Sequence, residues 1–241
     1  VRIATGLLTL NEYAAGRARV VVGGGGEALQ ALGIKPARRV RAVGECVQIL
    51  KGVTPGTPYS FAGQIHRVQD YNPFWAKAPK PPIYVAVNKP QMLRMAARVG
   101  DGIMLSDLTP LICRERIGWV RDHLREFGRP AEPFRCYNFV AWHVYADRQR
   151  AIREAKMWLG YRGLFRRWVL NTFMTDADYD VIEAHKAGIY GMVPTKTWAV
   201  PGVPDGLLDA CVENLTLAGT PADVPVFVER LKKMRDAGCT D

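Results

Sequence analysis

The sequence predicts an α/β protein in which parallel strands are joined by helical crossovers. Short β-branched or apolar runs alternate with helical patterns along the first two thirds of the chain. The runs VVV, IYVAV and IMLS are almost continuously apolar, as parallel strands covered on both faces must be. The length, 241 residues, also lies near that of a (β/α)8 barrel, about 250 residues.

Each element follows from a local pattern. Ile3, Leu7, Leu10 and Ala14 share one helical face that ends at Gly16. RARVVVGGGG is a short strand stopped by glycines. Val40, Val43, Val47 and Leu50 repeat as a second amphipathic helix closed by Gly52. The turn residues TPGTP precede YSFAGQIHRV, which reads as a hairpin about Ala62-Gly63. PPIYVAV (81–87) is a buried strand backed by a helix marked by Met92, Ala96 and Val99. DGIMLSD (101–107) is the next strand, followed by a helix over 111–127. FRCYNFVAWHVYAD (134–147) reads as one longer strand, and a basic helix runs over 148–170. Residues 171–210 are rich in Gly and Pro and read as an irregular insertion, in which His185, Tyr190 and Trp198 either line a pocket or simply pack. Order returns at Thr220-Pro221-Ala222-Asp223, where a Thr cap, Pro and a first-turn acid begin a helix. Val224, Phe227, Leu231 and Met234 form its expected inward face, and it stops at Gly238. Four strands do not close a barrel. The chain is therefore read as one incomplete barrel domain over 1–241, beginning in a helix and stopping before a strand.

Composition narrows the function. With 48% hydrophobic and 23% charged residues, the chain is neither disordered nor fibrous. It contains no apolar run of the roughly 20 residues that a membrane helix needs, and no signal peptide leads it. Five scattered cysteines, without C-x-x-C or zinc spacing, point to buried thiols in a reduced, cytoplasmic setting. The net charge is +10. Its densest spots, PARRVR at 36–41 and FRR at 165–167, lack a stacking platform or a DNA-binding motif. They read as solvated helix faces with attraction for an anionic cofactor or substrate, and a nucleic-acid partner is not expected.

Candidate chemistry gathers where strands end. Gly23, Gly24, Gly25 and Gly26 follow a strand and precede a helical segment, so backbone amides can approach an anion or a flat ring. The run reads equally well as a flexible turn. Glu27, just past a strand's C-terminal end, suits a proton donor at the catalytic face of a barrel, or simply complements a helix dipole. Asn88-Lys89-Pro90 offers a cation and free amides to a phosphate, or an N-cap with Pro in the first turn. Ser106, ending the next strand, carries the same two readings. His66, His123, His143 and His185 share no metal spacing, and no G-x-S-x-G supports a hydrolase.

These segments together resemble the bacterial luciferase-like flavin/deazaflavin superfamily, in its F420-dependent branch of methylenetetrahydromethanopterin reductase-like and glucose-6-phosphate dehydrogenase-like enzymes. The resemblance is carried by TLNEYAAGRARVVVGGGGEALQALGIKPARRVRAVGECVQILKG, FAGQIHRV, PPIYVAVNKPQMLRMAARVGDGIMLSD and LTLAGTPADVPVFVERLKKMRDAGCTD, in family order and spacing. It implies a (β/α)8 TIM barrel with a deazaflavin or FMN at the C-terminal ends of its strands, of which about strands four to seven are present. It implies that the glycine loop and Glu27 lie beside the cofactor ring, with Glu27 as proton donor and Gln30 at a position the family fills with Asn. Ala86, Val87, Asn88, Lys89 and Pro90 stand where the family runs along the cofactor's ribityl-phosphate side, and Ser106 at its cofactor-contacting Ser/Thr position. The implied activity is hydride transfer between F420, which carries phosphate and carboxylates, and an organic substrate, in a homodimer. The alternatives are an FMN-dependent monooxygenase using O2 and, as a minor one, a non-catalytic cofactor- or nucleic-acid-binding protein. With three strands missing in front and one behind, the stretch is expected to be inactive alone.

Overall fold

The computed structural model describes residues 1–25, 29, 32–34 and 37–240. Its chain forms two compact units, Val1–Leu105 with Gly118–Tyr137, and Ser106–Ile117 with Asn138–Asp241. In chain order the first unit begins with α1 (Arg2–Tyr13), β1 (Val20–Val22), α2 (Arg39–Gly52), β2 (Tyr59–Ala62) and β3 (Arg67–Tyr71). It continues with β4 (Ile83–Ala86), α3 (Pro90–Val99) and β5 (Gly102–Ser106). The helix α4 (Pro110–Glu126) and the strand β6 (Arg135–Phe139) belong partly to each unit.

A four-stranded sheet runs in the order β1-β4-β5-β6. β1 lies parallel to β4 with Val22 opposite Val85, and β4 parallel to β5 with Ala86 opposite Met104. The C-terminal ends of β1 and β4 therefore emerge side by side. Helices form the crossovers because only a connection of that length returns the chain to start a parallel neighbour. Ile83, Val85, Ile103 and Leu105 are fully buried, and so are Leu93, Ala96 and Ala97 on the inner face of α3. Asn11 at the end of α1 is also buried: it donates to Pro79 O (2.7 Å) and accepts from Ala18 N–H (3.0 Å), which fixes the entry to β1. The hairpin of β2 and β3 is antiparallel.

The second unit holds β7 (Ala141–Val144), α5 (Arg148–Arg162), α6 (Arg167–Leu170), α7 (Asp176–Ala184) and α8 (Lys186–Thr195). After these come α9 (Asp205–Leu215), β8 (Thr216–Gly219), a 3-10 turn at Pro221–Asp223 and α10 (Val224–Asp236). β7 and β8 form a parallel pair in which His143 lies opposite Ala218. Its core gathers Ala151, Ala155 and Leu159 of α5 with Ile182, Ile189, Met192 and Leu208.

Several sequence expectations need correction. The stretch 171–210 is largely helical, holding α7, α8 and the start of α9. Gly188, Gly191 and Pro194 lower its intrinsic helix propensity, but burial of Ile182, Ile189 and Met192 decides the outcome. The single strand expected over 134–147 is two, β6 and β7, which lie in different sheets. β8 has no counterpart in the sequence reading, because four residues are too few to show a period. The helix expected over 148–170 breaks at Gly163, which takes the left-handed conformation after α5. On α10, Phe227 and Met234 face inward as expected, but Leu231 is 42% exposed. The Thr220–Asp223 capping box is present.

Candidate functional site

Two of the predicted cofactor segments meet in the first unit. Gly23 directly follows β1, and a Cβ placed on it would lie 3.4 Å from Ala86 Cβ. Gly24 lies against the Arg39 side chain and near Met92 Cε, at 3.6 Å from its own ideal Cβ. Gly25 has φ +66 and would bring a Cβ to 2.4 Å from Leu29 Cδ1, so both conformation and space require glycine there. The parallel register sets this turn beside Ala86, Val87 and Asn88. Val87 is buried and its N–H donates to Met104 O at 3.0 Å, so the chain continues the sheet for one residue past β4 before it turns. Gly26, Glu27 and Gln30 lie outside the described residues.

Asn88 separates the two readings left open for its segment. It does not cap α3: Lys89 is the N-cap residue, and no side chain caps the helix. The Asn88 Oδ1 is instead buried with no hydrogen-bond partner among the described residues. Leaving a buried polar atom unpaired costs roughly 1–3 kcal/mol, and such an atom at the mouth of a sheet calls for a ligand. An amide can present either its oxygen or its NH2 to this position. It therefore suits a chain that carries both hydroxyl and phosphate groups. Pro90 occupies the first turn of α3 and has no N–H of its own to satisfy. Lys89 is exposed just ahead of it, adding a positive charge to the positive end of the helix dipole.

Ser106 ends β5 and belongs to the second unit. The residue after it was not singled out in the sequence. Asp107 is buried, with φ +55, an uncommon conformation for a residue other than glycine. Its carboxylate accepts from Arg162 Nη2 (3.0 Å) and from Trp158 Nε1 (3.4 Å). The Arg162 guanidinium also lies over the rings of Phe139 and Trp158, at 5.6 and 5.5 Å. Burial pushes the Asp107 carboxyl above its ordinary range, and Arg162 pulls against that shift. His143 stands 6.3 Å from Trp158, ring to ring, with a buried Nε2 that has no partner among the described residues. Burial lowers its pKa, opposed by Glu154. No sequence spacing could have found this cluster, since it joins a loop, two strands and a helix.

A parallel sheet whose glycine turn and phosphate-suited turn open at one end is a ligand-binding geometry shared by many folds. The family model for luciferase-like monooxygenases matches residues 1–241. The chain belongs to the luciferase-like monooxygenase family. A 5,10-methylenetetrahydromethanopterin reductase from Archaeoglobus fulgidus is 25% identical over 98% of this chain and 70% of its own length. Among solved structures, an F420-dependent tetrahydromethanopterin reductase from Methanopyrus kandleri aligns with a TM-score of 0.71 at 20% identity, covering 99% of this chain and 71% of that one. An F420-dependent secondary alcohol dehydrogenase in complex with an F420-acetone adduct aligns with a TM-score of 0.70 at 17% identity, over 99% of this chain and 66% of that one. These two alignments establish the luciferase-like barrel architecture, of which the chain forms a part.

Proposed function

We propose that this luciferase-like protein is an F420-dependent oxidoreductase that moves a hydride between the deazaflavin and an organic substrate. The observation that carries the proposal is the buried Asn88 Oδ1, unpartnered among the described residues, beside the Gly23–Gly25 turn. That pairing fits a ribityl phosphate. The F420 dependence of the Methanopyrus reductase and of the secondary alcohol dehydrogenase favours the deazaflavin over FMN.

Bound F420 would supply the hydride-carrying ring, and the protein the positioning, dryness and proton. Gly23, Gly24, Gly25 and Gly26 would form the turn beside the ring. Ala86 and Val87 would flank the ribityl chain, and Asn88 would hydrogen-bond it. Lys89 and the α3 N-terminus beyond Pro90 would hold the phosphate. Glu27 would supply the proton, and Gln30 and Ser106 would contribute polar contacts.

Fluorescence titration tests the cofactor directly. F420 should bind tightly and FMN weakly. Tight FMN binding without F420 binding would make the protein an FMN-dependent monooxygenase instead. Asn88→Ala should weaken F420 binding by about tenfold, the worth of one well-made buried hydrogen bond. In an intact barrel, Glu27→Gln should cut turnover by roughly a hundredfold or more while leaving F420 affinity within a factor of two. Homodimerisation belongs to the same reading and is checked by sedimentation velocity at micromolar concentration.

A further inference from the structure

The second unit carries a cluster to which the cofactor reading gives no task. Asp107, the residue after Ser106, is buried and pairs with Arg162 (3.0 Å) at the end of α5. The Arg162 guanidinium lies over the rings of Phe139 and Trp158. Trp158 in turn meets Phe139 at 6.0 Å, His143 at 6.3 Å and Tyr161 at 6.4 Å, ring to ring. Phe139 and Tyr161 are both exposed. Single surface aromatics need no explanation, but four rings gathered about one arginine form a patch that suits a ligand. Two polar atoms of the cluster are also unsatisfied. Arg162 Nε and His143 Nε2 are buried, and neither has a hydrogen-bond partner among the described residues. Leaving such atoms unpaired is costly, and two of them beside one tryptophan ring call for a shared partner.

Charge balance decides which ligand fits. Asp107 already neutralises Arg162. Burial lowers the His143 pKa against the pull of Glu154, so its ring is uncharged at neutral pH. An anion entering the cluster meets the Asp107 carboxylate as well as the guanidinium, and the repulsion cancels most of the attraction. Arg162 Nε–H can only donate, whereas a neutral imidazole donates or accepts at Nε2. Phe139, Trp158 and Tyr161 offer flat apolar faces. We infer that the cluster binds the flat, uncharged end of the organic substrate, a conjugated group bearing a carbonyl-type oxygen, with Arg162 as its hydrogen-bond donor. Asp107 is then a positioning residue: it holds the guanidinium in place and cancels its charge without touching the ligand. The inference rests on the oxidoreductase reading and adds to it the class of substrate.

Saturation-transfer NMR titration of the 241-residue protein with benzamide and with benzoate tests this, because the two probes share a shape and differ in charge. The wild type should bind benzamide saturably in the millimolar range, and about tenfold more tightly than benzoate. Asp107→Asn removes the balancing charge, so the preference should reverse, with benzoate the tighter by about threefold or more. A merely structural role for Asp107 would weaken both probes alike and leave their ratio unchanged. Arg162→Gln should weaken benzamide binding about tenfold. Tyr161→Ala, at an exposed position where substitution is tolerated, should weaken it about threefold. That variant keeps the test decisive should Asp107→Asn fail to fold. Absence of saturable benzamide binding by the wild type, a benzamide-to-benzoate ratio unchanged in folded Asp107→Asn, or undiminished benzamide binding by Tyr161→Ala overturns the inference. F420 binding is measured separately by fluorescence, so the cofactor reading stands or falls on its own result.

Discussion

Asp107 concentrates several costs in one residue: full burial, a positive φ and an ionised partner. Removing its side chain leaves Arg162 without its acid. Asp107→Ala should destabilise the fold by about 3 kcal/mol, in line with other half-broken buried pairs. Asp107→Asn keeps one acceptor oxygen, which serves Arg162 or Trp158 but not both, tolerates the left-handed conformation and should cost about 1–2 kcal/mol, less than Asp107→Ala. Urea unfolding of the two variants checks the order. The pH dependence has a definite sign. Because burial raises this carboxyl above 3.8 in the folded state, its contribution to stability is full below 3.8 and is lost as pH rises through the folded value. Asp107→Asn should remove that part of the decline. Asn88 and Asp107 show what was legible at this scale. The position and polarity of Asn88 could be read from the chain. Its lack of a cap interaction could not, because one residue of shift at a helix start moves the N-cap from Asn88 to Lys89.

At the level of elements, α2 and the β2–β3 hairpin are joined through Glu45. Burial alone would raise its carboxyl, but three backbone N–H donors hold it below the usual range. Its contribution to stability is therefore present above the unfolded value and lost as pH falls through the folded one. The approach that allows this needs a glycine. A Cβ on Gly63 would lie 2.3 Å from Glu45 Oε2. Gly63→Ala should lower stability by roughly 1–3 kcal/mol, the range for overpacking a tight site, and should release the hairpin to faster amide exchange. The capping box at α7 offers a cleaner test. Thr175 and Asp178 satisfy each other's backbone N–H groups, and Thr175→Ala should cost about 1 kcal/mol in thermal or urea unfolding. The strands β1, β4 and β5 and the helices behind them were readable because burial on both faces leaves unbroken apolar runs. The helices within 171–210 were not. Their Gly and Pro content argues against helix locally, and only packing against α5 overrules it.

For the molecule as a whole, the excess of ten positive charges acts at a distance. An anionic cofactor should be steered toward it, so the association rate constant for F420 should fall several-fold between about 20 and 500 mM salt. Stopped-flow fluorescence measures this. A rate indifferent to salt would mean that the charge is spread too evenly to steer a ligand. The sequence by itself determined the α/β class, the parallel strands, the family and the two turns suited to a cofactor. Each of these is written in local periodicity or in a contiguous motif. Tertiary structure alone decided that the Gly23–Gly25 turn and Asn88 stand together and that Glu45 is consumed by a hairpin. Parallel register, close backbone approach and helix packing bring distant residues within reach, and none of them leaves a period in the chain.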